Sequence, residues 1–427
     1  MQPLKIGFIH NAFPVLSETF ISKEMTGLQQ RGLDLNIYSL FRPEPSRLDR
    51  SYSGDSIFYL IPNLKPWRLL ISHIIMWVVS PKRYWDTLKF AWLKRNRQSS
   101  LLNKMLSFQS GKTMSREERQ DLLLHFILAA PLAKQMRADH ITLINSHFAD
   151  AAASFAMLCG MLLGIDYGIT AHAYDIFTPQ FHMPEKLSRS RFILTCTQYN
   201  KKAFEKDYSA LAEKVFVFYH GINTTKFKRK SNPQNSVFQI FSVGRLVSKK
   251  GFDVLINACA ELKNRGVKFN CQIVGDGPLQ EKLQFQIEQY DLNGEVTLLG
   301  AKPSTEIPAY YERADVFALP CVVEPDGNRD GIPNVIAEAM AMQLPVVSTI
   351  VSGIPELVQH EETGLLLKEH DHVGLADALQ KLSEDTSLRE KMGQAGRARV
   401  QEIFDSEVCL DRLYEFYQHE WQREGSS

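Results

Sequence analysis

Four loops carry residue types and spacings that could do chemistry. The first is Gly244-Arg245-Leu246-Val247-Ser248-Lys249-Lys250-Gly251. It follows a β-branched run and opens a helix-period segment. Cations beside a helix N-terminus suit an anion, because exposed amides and the helix dipole both favour negative charge. A solvated basic turn is the plainer reading of the same residues. The second is Val274-Gly275-Asp276-Gly277-Pro278. Gly275 and Gly277 let backbone approach a ligand closely, and they equally make a tight turn. Neither loop has the full dinucleotide-binding pattern. The third is Asp330-Gly331-Ile332-Pro333-Asn334-Val335-Ile336-Ala337-Glu338-Ala339-Met340-Ala341. With Pro333 at the first helical position, Asn334, Val335 and Ile336 offer free amides. Glu338 then sits about 7–8 Å along the axis from Pro333. A carboxylate beside Ala-Met-Ala is half buried, which is costly unless it binds something. Two ribose hydroxyls would satisfy it, and so would backbone groups of a structural helix. The fourth is Thr170-Ala171-His172-Ala173-Tyr174-Asp175 at a strand end, with Asn145-Ser146-His147-Phe148 ending another. A lone histidine at a strand end is as readily structural as catalytic.

The elements that must position these loops form a regular alternation. Strand runs are expected near 5–10, 34–40, 141–147, 166–172, 191–196 and 214–219 in the first half. In the second half they are expected near 237–244, 269–275, 296–300, 316–320, 345–349 and 364–367. Most lead into helix-period segments. After Gly251, for example, Phe252, Leu255, Ile256, Cys259 and Leu262 make one apolar stripe, with Gly266 just past its end. Strands alternating with helices imply parallel βαβ sheets, and two such series imply an α/β chain of two doubly wound domains. The expected joint is the charged, Asn/Pro/Ser-containing stretch 226–236. The expected domains are therefore 1–228 and 229–405. A helix over 406–427 is expected to return to the first domain, with Leu410, Leu413, Tyr414, Phe416 and Tyr417 as its apolar side. Ligands of such sheets bind beyond the carboxyl ends of strands, which is where the loops above begin.

Composition narrows the function classes. The 427 residues are 44% hydrophobic and 23% charged, an ordinary globular balance. A net charge of +1 gives no global field for nucleic acid. Cys159, Cys196, Cys259, Cys271, Cys321 and Cys409 are scattered with no CxxC spacing. This points away from a disulfide framework or zinc site and suits a reducing, cytoplasmic compartment. The start, Lys5-Ile6-Gly7-Phe8-Ile9-His10, carries the expectation of no secretory signal. No apolar stretch reaches the ~18–20 residues that span a bilayer.

Together the loops resemble the retaining glycosyltransferases of family 4. The resemblance rests on GRLVSKKG, VGDGP, DGIPNVIAEAMAMQLPVVST and SGIPELV occurring in family order between Phe241 and about Leu367. The stretch Asn11-Ala12-Phe13-Pro14-Val15-Leu16-Ser17-Glu18-Thr19-Phe20 resembles a subgroup that makes bacterial exopolysaccharides, the colanic-acid-type transferases. The resemblance implies a GT-B fold, two facing Rossmann-like domains with the site in the cleft. It implies a hexose moved from a UDP- or GDP-linked sugar to a saccharide or polyprenyl-diphosphate-linked acceptor. The family's Glu-x7-Glu motif falls on Asp330 and Glu338, with aspartate in place of the first glutamate. Glu338 would hold the ribose, and Asp330 the hydroxyls of the transferred sugar. Arg245 and Lys250 would neutralise the diphosphate, assisted by Gly331 and the amides of Asn334, Val335 and Ile336. Gly275 and Gly277 would line the donor site, and His172 would approach the donor sugar. Many members carry a Gly-Gly loop after the first strand. Phe13-Pro14-Val15 stands there instead, so acceptor contacts of that loop do not carry over. No Asp-x-Asp metal motif occurs in these loops, so neither metal nor cofactor is expected. An epimerase on the same fold, or a non-catalytic binding subunit of a polysaccharide assembly, are the alternatives.

One segment lies outside these motifs. Residues 62–97 hold Lys65, Arg68, Lys82, Arg83, Lys89, Lys94, Arg95 and Arg97 against Asp86 alone. They also hold Trp67, Trp77, Trp85 and Trp92, four of the five tryptophans. Cations beside Trp and aliphatics suit an interfacial membrane element on an anionic surface. A buried helix followed by a solvated basic helix would use the same residues.

Overall fold

The computed structural model describes residues 3–50, 52, 54, 56–95, 121–178, 180–230 and 235–423. The chain divides into two compact units. Unit 1 comprises Met1–Cys196, Lys201–Phe218 and Leu410–Ser427. Unit 2 comprises Thr197–Asn200 and Tyr219–Cys409.

Unit 1 is built on a seven-stranded sheet. Its strands are β1 (Lys5–Ala12), β2 (Asp34–Phe41), β3 (Ile57–Tyr59), β4 (Leu143–His147), β5 (Tyr167–Ala171), β6 (Phe192–Thr195) and β7 (Val215–Val217). The order is β3-β2-β1-β4-β5-β6-β7, and every pairing is parallel. Phe8 pairs with Ile37 on one side and Asn145 on the other. The order reverses between β1 and β4. Unit 2 carries β8 (Phe238–Val243), β9 (Phe269–Val274), β10 (Val296–Leu298), β11 (Val316–Leu319), β12 (Val346–Thr349) and β13 (Gly364–Leu367). Its order is β10-β9-β8-β11-β12-β13, again parallel, with the reversal between β8 and β11. Strands covered on both faces read as continuous apolar runs, and all four residues of Val316–Leu319 are buried. The short edge strand β3 is absent from the sequence expectation. Three half-buried residues have no period of their own, and only pairing with β2 makes them a strand.

The chain changes unit at Phe218/Tyr219, ahead of the expected joint at 226–236, of which 231–234 lie outside the described residues. Residues 222–230 are fastened to unit 2. Ile222 bridges Asp405, and the Arg229 guanidinium donates to the carbonyls of Glu312 and Ala314. The last helix, Ser406–Arg423, rejoins unit 1 from Leu410. There Leu413 and Tyr417 enter a core with Phe8 and Phe192, and Phe416 meets Phe192 edge-on at 5.1 Å.

In unit 1 the helices Pro66–Val79 and Pro81–Leu93 are not buried core. Of the first, only Ser72 and Met76 are buried, while Leu70 is 63% and Val78 65% exposed. Trp67, Trp77, Trp85 and Trp92 are all exposed. Between these helices and Leu122–Ala138 lies an apolar cavity of about 700 Å³, lined by Leu69, Leu70, Trp85, Trp92 and Phe126 among others. Residues 96 and 97 of the basic segment lie outside the described residues. Among the described residues no helix is long and apolar enough to cross a membrane.

Candidate active site

In open α/β sheets the ligand crevice lies outside the carboxyl ends of the strands where the order reverses. In unit 2 that point is occupied by the loops after β8 and β11. The β8 loop turns through Ser248–Lys250 to Gly251, which caps the helix Phe252–Asn264 at φ +66°. A Cβ at Gly251 would lie 1.9 Å from the Pro320 carbonyl oxygen, so glycine alone allows the two loops to meet there. Val322 N donates to Lys249 O at 3.0 Å, completing the join.

That junction delivers two ammonium groups to one carboxylate. Lys249 Nζ lies 3.0 Å from Asp330 Oδ1, and Lys250 Nζ lies 2.6 Å from Asp330 Oδ2. Burial pushes the Asp330 carboxyl up, but the two lysines outweigh it and hold it below its ordinary value. Burial likewise lowers Lys250, and the Asp330 charge reverses the sign, leaving Lys250 raised. Arg245 is exposed, and its charge reaches Lys250. The structure thus brings Arg245, Lys250 and Asp330 together. It adds Lys249, whose pairing with Asp330 had no signal in the sequence beyond its place in a basic loop.

Gly275 and Gly277 have a backbone task of their own. Leu246 N donates to Asp276 O at 2.7 Å, and Leu279 N to Leu246 O at 3.1 Å, so the loops after β8 and β9 are stitched together. A Cβ at Gly275 would lie 1.9 Å from Gly244 O, and one at Gly277 2.6 Å from Leu246 O. Their close approach is to protein backbone.

The helix Asn334–Ala341 starts one residue later than expected. Pro333 is its cap, at φ −63° and ψ 122°, with no side chain to offer the first turn. The Ile336 amide turns to the Pro333 carbonyl at 3.0 Å, so of the three expected amides Asn334 and Val335 keep the first-turn position without a side-chain cap. Gly331 precedes the cap, and its carbonyl accepts from Gly353 N at 3.2 Å. Glu338 is half-buried, and its Oε2 accepts from the Tyr311 hydroxyl at 3.1 Å. That hydroxyl also reaches Val335 O at 3.0 Å. Tyr311 is fully buried against Phe241, edge-on at 5.0 Å. Sequence reasoning misses Tyr311, since it belongs to a separate helix, Ile307–Arg313.

His172 belongs to unit 1 and is described there. It follows β5 next to the reversal between β1 and β4. His10 at the end of β1, His147 at the end of β4 and His172 lie with near-parallel rings. Centroids are 5.0 Å apart for His10–His147 and 5.6 Å for His147–His172. All three are buried. Burial above all, with the neighbouring His147 charge, holds His10 well below its ordinary value. Asp175 fixes the two loops beneath them. Its Oδ1 accepts from His172 N at 2.7 Å and its Oδ2 from Ala149 N at 2.6 Å. Buried Lys186 donates to the carbonyls of Ala149, at 2.6 Å, and Asp150, at 3.1 Å. Burial pushes Asp175 up to about 7 and Lys186 down to about 8. Glu18, three residues after Phe13-Pro14-Val15, is also pushed up to about 7, chiefly by burial.

Comparison with known proteins gives the family and the fold. Residues 223–399 match the family model for glycosyl transferases group 1. The chain is 31% identical over 425 residues to the amylovoran biosynthesis glycosyltransferase AmsK of Erwinia amylovora, covering 96% of this chain and 98% of that one. It is 30% identical, with the same coverage, to WcaL of Escherichia coli K12, which is assigned to colanic acid biosynthesis. The crystal structure of Anabaena HepE in complex with UDP-glucose superposes with a TM-score of 0.65 at 17% identity, over 98% of this chain and all of that one. Two parallel Rossmann-like sheets with this order are the GT-B fold. With the cationic loop, the paired aspartate and the helix-borne glutamate in place, the chain belongs to the group 1 glycosyltransferases.

Proposed function

We propose that the protein is a retaining hexosyltransferase that moves a hexose from a nucleoside diphosphate sugar to a saccharide or lipid-linked saccharide in surface-polysaccharide synthesis. The observation that carries the reading is the Lys249–Asp330–Lys250 cluster beside Arg245, at the strand-order reversal of unit 2. Arg245 and Lys250 suit a diphosphate. Asp330, held by two cations, suits sugar hydroxyls, and Glu338, held through one oxygen by Tyr311, suits the ribose. His172 takes the transferred sugar, as the family resemblance implies. AmsK and WcaL, both named for exopolysaccharide synthesis, support the pathway class. The HepE complex with UDP-glucose makes uridine donors the first to test, before GDP-linked ones.

In the reaction the bond from the anomeric carbon to the leaving phosphate oxygen breaks, and a bond to the acceptor oxygen forms on the same face. The acceptor proton passes to the leaving phosphate. Such a step needs charge stabilisation and positioning more than a nucleophile. An aspartate whose carboxylate is engaged by two ammonium groups is a poor nucleophile, which supports front-face departure over double displacement. Arg245, Lys249 and Lys250 supply the positive charge the leaving group needs, so turnover is expected to persist in excess chelator. Exposed tryptophans and aliphatics beside cations in 66–93 support attachment of unit 1 to the anionic inner face of the cytoplasmic membrane. A donor panel read by nucleotide release tests the whole reading, with and without membrane acceptor. Acceptor-dependent release supports transfer. Acceptor-free interconversion of sugars supports an epimerase, and binding without turnover supports a non-catalytic subunit.

A further inference from the structure

The helices Pro66–Val79, Pro81–Leu93 and Leu122–Ala138 enclose an apolar cavity that the transfer chemistry leaves unused. Its volume of about 700 Å³ is that of a small-molecule site. Leu69, Leu88, Leu123 and Phe126 supply its surface, and Trp85 and Trp92 stand at it 56% and 52% exposed. The polar groups in its wall are already engaged. His73 Nδ1 and the Tyr84 hydroxyl are 3.0 Å apart, and His73 Nε2 is 3.0 Å from the Ile127 carbonyl oxygen. Both bonds hold whether the imidazole is neutral or charged. Apolar space without polar partners holds water poorly and favours hydrocarbon.

Charge around the cavity has one sign. Lys89 lines it, and exposed Lys65 and Arg68 bracket Pro66 in its wall. The Arg95 guanidinium lies 3.5 Å from the Trp92 ring centroid. Asp86 is the only acid from 62 to 95. A hydrocarbon slot beside cations and exposed tryptophans matches an amphiphile with an apolar chain and an anionic head.

Topology gives the cavity an edge of the sheet. The helix Leu122–Ala138 ends at the amino edge, where Thr142 N donates to Lys5 O at the start of β1. Crossover helices run against their strands, so the first turns, with Leu123, Phe126 and Ile127, stand toward the carboxyl edge. The helix Pro81–Leu93 ends on the same side. Lys94, just past it, pairs with Glu185 at 2.5 Å, and the adjacent Lys186 holds the carbonyls of Ala149 and Asp150 directly after β4. His147 and His172 end their strands at that edge. A chain held in the cavity therefore brings its head group to the edge that carries His172, as a carrier lipid requires and a bulk membrane lipid does not.

We propose that this cavity is a chain subsite, taking the hydrocarbon chain of a lipid-linked acceptor while the cations at its rim meet the diphosphate that joins chain to saccharide. It rests on the reading of the protein as a transferase to a lipid-linked saccharide, and adds the place where the chain is held.

The test is binding of geranylgeranyl diphosphate to the full chain, without vesicles and below micelle formation, read by calorimetry. Wild type is expected to bind it at least about tenfold more tightly than geranyl diphosphate, because the longer chain buries more hydrocarbon. Leu70→Glu, at an exposed position of the lining, and Leu88→Trp, which fills the cavity, are each expected to weaken binding of the longer chain by about tenfold or more and to leave inorganic diphosphate binding unchanged. Leu70→Glu keeps the test decisive if Leu88→Trp does not fold. Equal affinity for the two chain lengths, or unchanged affinity in Leu70→Glu, overturns the proposal. So does equal displacement by dioctanoyl phosphatidylglycerol, which assigns the cavity to bulk membrane lipid. Binding that arises only after residues 98–118 are replaced by a Gly-Ser linker assigns it to the chain's own segment and overturns it too. Donor turnover that no lipid-linked acceptor stimulates would instead overturn the acceptor reading, and the binding arms would still decide whether the cavity takes a chain.

Discussion

Lys250 Nζ stands 2.6 Å from Asp330 Oδ2, tying the loop after β8 to the loop after β11 through one ion pair that Lys249 completes from the other oxygen. A carboxylate shared by two cations is charge-compensated only as a set. Asp330→Ala leaves both ammonium groups without it in a nearly closed site. Breaking a buried pair in this way costs roughly 3–5 kcal/mol, and the residual exposure of both lysines places the expected loss at about 2–3 kcal/mol. Urea unfolding of the variant measures it. Lys249→Met, which leaves the Lys250–Asp330 pair whole, should lose less.

Glu338 and Tyr311 give a second graded pair. Glu338→Ala is expected to weaken nucleotide-sugar binding strongly by calorimetry. Tyr311→Phe removes the hydroxyl that orients Oε2, a bond to a charged acceptor worth about 1.5–3 kcal/mol. It should therefore weaken binding by about tenfold or more. Unchanged affinity in Glu338→Ala would take Glu338 out of the donor site.

Backbone contact predicts the cost of side chains in the glycine loops. Gly275→Ala would place a Cβ 1.9 Å from Gly244 O at φ +144°. Gly266→Ala, at φ +74° with nothing within 4 Å, meets only the conformational penalty. The second variant should lose about 1 kcal/mol. The first should lose several-fold more and shift the loops that carry Arg245. Equal thermal stability of the two would contradict the loop-on-loop packing.

Acid–base linkage follows from Asp175. Its carboxyl is pushed up to about 7, chiefly by burial. Between its unfolded value near 4 and about 7 the folded state holds a proton that the unfolded state has released. Stability is therefore full below about pH 4 and falls as pH rises through that window, by at most ~1.4 kcal/mol per pH unit for one proton. Glu18 acts in the same direction. Asp330, held below its ordinary value, acts oppositely and only at lower pH, where its stabilisation is lost as pH falls. Chemical denaturation from pH 4 to 7 should show a shallower decline for Asp175→Asn than for wild type. An unchanged slope would show that Asp175 is already ionised across this range.

Membrane attachment is tested by vesicle flotation. Lys65, Arg68, Lys82 and Lys89 are exposed beside the tryptophans of 66–93. At about 1 kcal/mol per cation near anionic lipid, replacing all four with Gln should abolish flotation on anionic vesicles and leave neutral vesicles unaffected. Equal flotation of wild type and variant would end the proposal.

Much of the fold was legible because its causes are local. Apolar β-branched runs separated by 3.6-period segments fixed parallel βαβ units, and the positions of the loops that hold Arg245, Lys250 and Asp330, and of the helix that holds Glu338, follow from that alternation. Tertiary structure decided what local signals cannot carry. It made Ile57–Tyr59 a strand by pairing it with β2, and it changed unit at Phe218 because residues 222–230 bind Asp405, Glu312 and Ala314. It left the Pro66–Val79 helix exposed, since burial depends on what packs against an apolar face rather than on the face itself. It also supplied the partners: Lys249 for Asp330, Tyr311 for Glu338, and His147 for His172. Each joins residues from different elements. Their chemistry is written in the sequence as residue types, but their distances exist only once the sheets have brought the strand ends together.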